Sequence, residues 1–286
     1  MSPKLPVSLS VLLPTSIVSE ASDLQQKTIR VGLIGRALAI FRVDNVILYD
    51  DNDPHTKDQA AESNLVATLL RYVETPQYLR KLLFPRQKDL RFAGLLPPLR
   101  TPHHPLGDEK MKLGDYREAV VIQSDKHGSI LEIGLREKGV ASEMLKVGRR
   151  LTIRLGECLD KDRVAVQPFA REGVGEYWGF EVALAKTIAD ALKDLNADYV
   201  IGTSRYGKNL YEAVRGIESS NPMRVAVAFG GPYAGLLEMC GRLGVDAKDL
   251  FDVVINTIPH QGTATVRTEE ALMVTLGLLN SLAWGK

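Results

Sequence analysis

Apolar residues occur in short runs whose spacing switches between two periods. VSLSVLLPTSI (7–17) is almost continuously apolar and predicts a buried first strand. SDLQQKTIRVGLIGRALAIFRV (22–43) repeats its apolar positions with helical spacing after a Ser/Asp start signal. VDNVILYDD (43–51) predicts a short strand ending in acids, SNLVATLLRYVE (63–74) a second helix, and PQYLRKLLFP (76–85) a short helix bounded by prolines. Strand and helix alternate, which points to a parallel sheet with helices on its faces.

The pattern then changes. PPLRTPHHPLG (97–107) holds several prolines and reads as a linker. REAVVI, SILEIGL, GRRLTIRLGE and DRVAVQPF, between Arg117 and Phe169, are short strands separated by turns, with DKHG (125–128) as a hairpin turn. Such a set predicts a small barrel of the OB type or an ordinary β insertion. Beyond Trp178 the α/β pattern returns. EVALAKTIADALKDL (181–195) predicts one amphipathic helix, ADYVIGTS (197–204) a strand, NLYEAVRGIESS (209–220) a helix and MRVAVAFGG (223–231) a strand. A helical stretch at 236–243, the strand LFDVVINT (250–257) and a final helix complete the chain. The expected organisation is a discontinuous α/β domain, 1–96 and 173–286, holding an inserted barrel with its linker at 97–172.

Composition narrows the function. The chain has 286 residues, of which 45% are hydrophobic and 25% charged, with a formal net charge of +1. A soluble globular protein fits these values, and no global basic field marks nucleic acid. Basic residues are nevertheless concentrated locally. Arg71, Arg80, Lys81, Arg86, Lys88 and Arg91, with Arg149, Arg150, Arg154 and Arg163 of the barrel, form either a nucleic-acid surface or solvated faces. Phe92, Tyr116 and Trp178 are base-stacking or core residues. Cys158 and Cys240 lie far apart, which favours a reducing, cytoplasmic setting. His103 and His104 have no partners at a metal-ligand spacing, so no metal is expected. No apolar run approaches the ~20 residues that cross a bilayer.

Three strands end in unusual segments: GTSRYG (202–207), FGGPYAG (229–235) and NTIPHQG (256–262). In open parallel sheets ligands bind beyond the carboxyl ends of the strands. None of the three is a GxGxxG or P-loop sequence, which argues against a dinucleotide or polyphosphate. Gly230 and Gly231 admit close backbone approach to a flat ring, while Thr203, Ser204, Asn256 and Thr257 suit a ribose or amino-acid end. An uncharged, nucleoside-like ligand fits best. The competing view is that these residues simply make turns.

RALAIFRVDNVILYDD, ETPQYLRKLLFP, DLRFAGLLPPLRTPHH, VAFGGPYAGL and NTIPHQGTATVRTEEAL span most of the chain. Together they resemble the SPOUT class of S-adenosylmethionine-dependent RNA methyltransferases, in its archaeal and eukaryotic subfamily with an inserted barrel. The resemblance implies a C-terminal trefoil knot, a methyl donor bound in it, an RNA substrate and a homodimer. It places Phe229, Gly230, Gly231, Asn256, Thr257, Ile258 and Pro259 against the donor, with Gln261 and Gly262 turning the loop back. Val266 and Thr268 then lie where the final helix opens. VGLIGRALAIF and IPHQGTATVRTEE resemble the first and third motifs of the class and nominate Arg36 and Arg267 as catalytic. Each arginine has a surface ion pair as its competing role, and Glu269 and Glu270 suit a helix first turn without any function. The alternative function is a non-catalytic RNA-binding or assembly protein that keeps the same scaffold.

Overall fold

The computed structural model describes residues 4–105 and 112–284; Leu106 and Gly107 of the linker therefore lie outside the described residues. In chain order the elements are β1 (Ser8–Pro14), α1 (Leu24–Ile40), β2 (Asn45–Tyr49), α2 (Gln59–Glu74) and α3 (Gln77–Leu83). The barrel strands follow as β3 (Tyr116–Asp125), β4 (Gly128–Glu132), β5 (Lys138–Ala141), β6 (Arg150–Cys158) and β7 (Arg163–Pro168). The rest is β8 (Glu181–Ala185), α4 (Ile188–Leu195), β9 (Tyr199–Asn209), α5 (Leu210–Ser220) and β10 (Arg224–Ala228), then α6 (Leu236–Arg242), α7 (Ala247–Leu250), β11 (Val253–Asn256) and α8 (Thr268–Leu282).

The chain forms two compact units. The first takes Leu5–Val73, Asp89–Pro98 and the chain from Gly179 onward. Its sheet is parallel throughout, in the order β11-β9-β10-β1-β2-β8. A sheet buried on both faces needs continuous apolar strands, and β1 supplies Leu9, Val11, Leu12 and Leu13, all fully buried. Leu12, Ile47, Tyr49, Ala226 and Ala228 turn to one face and pack with Ile188 of α4, Leu236 and Met239 of α6, and Phe251. α1 starts where Asp23 accepts a hydrogen bond from Gln26 N–H, a side-chain N-cap. Among the described residues no helix is long and apolar enough to cross a membrane.

Two elements differ from the sequence reading. The single helix expected over 181–195 is a strand followed by a helix. Glu181–Ala185 pairs in parallel with β2 at the sheet edge, and Thr187 then caps α4 by accepting from Asp190 N–H. EVALA alternates as readily as it spirals, and the free edge of β2 decides in favour of the strand. The second difference is at GTSRYG, which lies within β9 rather than after it. Gly202 pairs with Val254 and Lys208 with the next residue, Ile255, so residues 203–207 arch out of the ladder.

The second unit takes Glu74–Lys88 and Leu99–Trp178. It contains a closed barrel of strand order β3-β4-β5-β7-β6. β5 was not apparent in the sequence because KGVA is short and contains glycine. Residues 74–88, placed with the α/β part by the proline signal at 97, group with the barrel. Their anchor is buried polar chemistry. Glu74 accepts from Arg150 Nη1 at 2.7 Å, Arg150 Nε reaches Glu118 Oε2 at 2.5 Å, and Tyr78 donates to the Glu118 carbonyl at 2.9 Å. Glu118 also accepts from Trp178 Nε1 and Thr152 Oγ1. Arg150 and Trp178, candidates for an RNA surface, are thus committed to this network, whereas Arg149, Arg154 and Arg163 are exposed. His103 is buried with Nε2 at 3.0 Å from the Glu74 carbonyl, and burial followed by the charge of His103 pushes His104 down to about 3.

Burial opposes ionisation of Glu74, but Arg150 and His103 outweigh it and hold the carboxyl at about 2, against an ordinary 4.5. A depressed folded value means stability that is present above pH 4.5 and is lost as pH falls toward 2. Glu74→Ala leaves Arg150 with Glu118 as its remaining carboxylate partner, and we expect a loss of about 1.5–3 kcal/mol in urea denaturation at pH 7. The gap between variant and parent should narrow through that acid window.

Candidate functional site

The carboxyl ends of β9, β10 and β11 enclose a cavity of about 280 Å³. Its walls are the 203–206 arch, the segment from Phe229 to Glu238, and the loop from Asn256 into α8. Thr203, Ser204, Phe229, Gly230, Gly231, Asn256, Thr257, Ile258, Gln261, Val266 and Thr268 all line it. The sequence therefore nominated a group of residues that the fold brings together from three separate segments. Pro259 and Gly262 belong to the same loop but do not line the cavity.

The polar side chains mostly brace the walls. Thr203 Oγ1 donates to the Ala228 carbonyl at 2.9 Å, Thr268 Oγ1 to the Gly230 carbonyl at 3.1 Å, and Thr257 shares a hydrogen bond with Thr275 at 2.8 Å. Ser204 Oγ accepts from Tyr206 N–H. Asn256 ties two walls together: its Nδ2 donates to the Arg205 carbonyl at 2.9 Å and its Oδ1 accepts from Ile258 N–H at 2.9 Å. Gln261 Nε2 clips the loop by donating to the Thr263 carbonyl, beside His260 in the left-handed region at φ 56°. With these side chains engaged, apolar surface from Leu236, Leu237, Ile258 and Val266 contributes much of the remaining wall, as expected for recognition of a flat, uncharged ring.

Glycines permit the enclosure. A Cβ on Gly207 would lie 2.3 Å from the Ile255 carbonyl carbon, so only glycine lets the arch rejoin β11. A Cβ on Gly230 would lie 2.6 Å from Leu236 N, which means that any side chain there displaces the loop before it reaches the cavity. Gly235 also lines the cavity, but a Cβ there meets nothing within 4 Å. Behind Gly231 lies Asp51, whose carboxylate accepts from Ser16 Oγ at 2.5 Å. Burial raises the Asp51 pKa, and its hydrogen bonds with Ser16 oppose that rise.

Several lining residues were missed by the sequence reading: Arg205, Tyr206, Tyr233, Leu236, Leu237, Glu238, Ala264 and Thr265. Tyr206 and Tyr233 stood inside quoted segments, so their nomination needed only the idea that aromatics sit at a cavity rim. Glu238 is on α6 and carries no sequence signal. It pairs with Arg242 at 2.7 Å. Arg36 and Arg267 do not line the cavity. Arg36 is half-buried on α1 and donates to the Pro98 carbonyl at 3.1 Å. Arg267 is exposed at the start of α8, where its N–H donates to Glu270 at 3.0 Å. Glu270 thus serves the helix start, and Glu269 lies 3.8 Å from Arg30. Among the described residues no cluster suits a metal ion.

Residues 8–279 match a family described as "Putative RNA methyltransferase". A human 28S rRNA (uridine-N(3))-methyltransferase is 35% identical over 306 aligned positions, covering 96% of this chain and 78% of that protein. The mouse protein of the same name is 36% identical, covering 96% of this chain and 76% of its own length. An uncharacterized Halobacterium salinarum protein is 35% identical and is matched over 98% of its length. A Legionella pneumophila methyltransferase structure with bound SAM aligns at a TM-score of 0.43 and 9% identity, a likeness too slight to bear on the ligand.

The close approach at Gly207 yields a direct check. Gly207→Ala forces the arch off Ile255, and we expect a loss of about 1–3 kcal/mol in thermal or chemical unfolding. An unchanged midpoint would show that the arch is not held by that contact.

Proposed function

The chain belongs to this RNA methyltransferase family, and on that footing we propose that S-adenosylmethionine occupies the cavity and that the methyl group is passed to N3 of a uridine in ribosomal RNA. The observation that carries the donor assignment is the glycine-lined, largely uncharged cavity at the ends of β9, β10 and β11. The adenine suits the uncharged space beside Gly230, Gly231 and Ile258, which line the cavity. Glu238, the one acid among the lining residues, suits the ribose hydroxyls. The target atom is proposed from the human and mouse relatives.

The donor supplies an activated methyl group on a sulfonium. Held by Gly230, Gly231, Asn256, Thr257 and Ile258, the donor would supply that methyl group for in-line displacement by N3, whose proton would pass to solvent or a base. The chain's own part is to hold the two reactants aligned and to exclude water, which is where much of such a rate gain arises. Main-chain walls fixed by Asn256, Thr203 and Thr268 give that rigidity.

We assign the fold to the SPOUT class, with the segments around the cavity forming its trefoil knot and the second unit acting as an OB-like RNA-binding barrel. The protein works as a homodimer. Ile29, Leu33 and Ile40 make an exposed apolar stripe on α1, and Met273 and Val274 are exposed on α8, which packs against α1. Arg36 falls within that stripe at helical spacing, so its proposed catalytic role toward RNA is exercised at the subunit contact. Arg267, exposed at the mouth of α8, is assigned to the substrate as well.

Gly235→Leu tests the donor site. It projects into open space and should leave the fold intact while lowering donor affinity at least tenfold in calorimetry. Unchanged affinity would place the donor elsewhere. Nucleoside mass spectrometry of RNA treated with the wild-type protein should show N3-methyluridine; methyl groups at another atom would overturn the target assignment. Leu33→Glu should sediment as a monomer if the α1 stripe is the dimer contact.

A further inference from the structure

The arch that closes the cavity continues outward, past Arg205 and Tyr206 at its rim, as an exposed aromatic and basic segment whose Lys208, Tyr211 and Arg215 do not line the cavity. Gly207 pins the arch to Ile255, and Asn256 holds the Arg205 carbonyl, so residues 205 and 206 are presented at the cavity rim. The Arg205 guanidinium donates to the Ala264 carbonyl at 3.2 Å and stands 4.8 Å from the centre of the Tyr206 ring. Tyr206 is 74% exposed. Lys208 follows, exposed, and Asn209 then caps α5 by accepting from Tyr211 N–H. Tyr211 is 56% exposed, and Arg215 lies one turn further, pairing with Glu212 at 3.2 Å.

Two tyrosines and three cations therefore project within eleven residues, opposed by Glu212. Tyrosine and arginine also recur in protein interfaces, but here three cations face one acid and the chain belongs to an RNA methyltransferase family, which favours a nucleic-acid occupant. Exposed rings beside cations suit unpaired nucleotides, whose bases stack on aromatic faces while their phosphates meet lysine and arginine. The rim position of Tyr206 means that a strand lying here would deliver its neighbouring base to the cavity.

We propose that β9–α5 is the track for single-stranded RNA: Tyr206 and Tyr211 stack nucleotides flanking the target, and Lys208 and Arg215 hold their phosphates. The track requires RNA as substrate, and it rests on the proposed donor site only for where the target base is delivered. Lys208 and Tyr211 lie outside the cavity lining. Removing them therefore separates RNA binding from donor binding.

The test uses the full chain, a fluorescein-labelled single-stranded RNA containing uridine, and S-adenosylhomocysteine. By anisotropy, Tyr211→Ala should weaken RNA binding by about 5- to 150-fold, whereas Tyr211→Phe retains the ring and should bind as wild type. Lys208→Ala should reduce the slope of log affinity against log salt by about 0.7. Calorimetric affinity for S-adenosylhomocysteine should stay the same in all three variants. RNA affinity within twofold of wild type for Tyr211→Ala, with an unchanged salt slope for Lys208→Ala, would overturn the track. So would a shift of Tyr211→Ala from dimer to monomer in sedimentation that accounts for its weaker RNA binding, because the segment would then be a contact between copies. A wild-type protein that binds RNA through these residues but methylates an atom other than N3 supports the track and removes only the target assignment.

Discussion

At Gly207 and Gly230 main chain runs against main chain with no room for a side chain. These two contacts let three separately encoded segments close around one cavity at the ends of β9, β10 and β11. The same closeness places Asn256 where one amide binds Arg205 and Ile258 together. On the proposed donor assignment, methyl transfer from a sulfonium needs alignment, so a rigid, largely uncharged enclosure is the expected equipment. The shape of the cavity follows from backbone packing, and several of its side chains act as braces.

The barrel unit illustrates the opposite strategy. Its buried Glu74 and Glu118 and its half-buried Arg150 form a charged network, supported by His103, Thr152 and Trp178. Such networks add less net stability than their Coulomb attraction suggests, but losing one member leaves a buried charge without compensation. Here the network fixes residues 74–88 against the barrel strands, and it removes Arg150 and Trp178 from any RNA surface.

Much of the architecture was legible because strand and helix periods alternate cleanly from Val7 to Glu74 and again from Tyr199 onward. The failures have physical causes. EVALA (181–185) satisfies both periods, and the vacant edge of β2 settles the matter. The arch at 203–207 depends on how β11 pairs, which local sequence does not encode. Cavity-lining residues were nominated where glycine or a hydroxyl marked a strand end. Arg205, Tyr206 and Glu238 were not nominated, because their place at the rim is set by the arch and by α6. The Glu74–Arg150 pair was also invisible, since ion pairs distant in sequence leave no pattern.

Hydrogen–deuterium exchange with and without saturating S-adenosylhomocysteine tests the central claim most directly, because it reads all three walls at once. Slower exchange is predicted together in 203–208, 229–237 and 256–268, with little change in the barrel strands. Protection absent from these three segments, or confined to another part of the chain, would contradict a cavity closed by backbone contacts as the seat of the methyl donor.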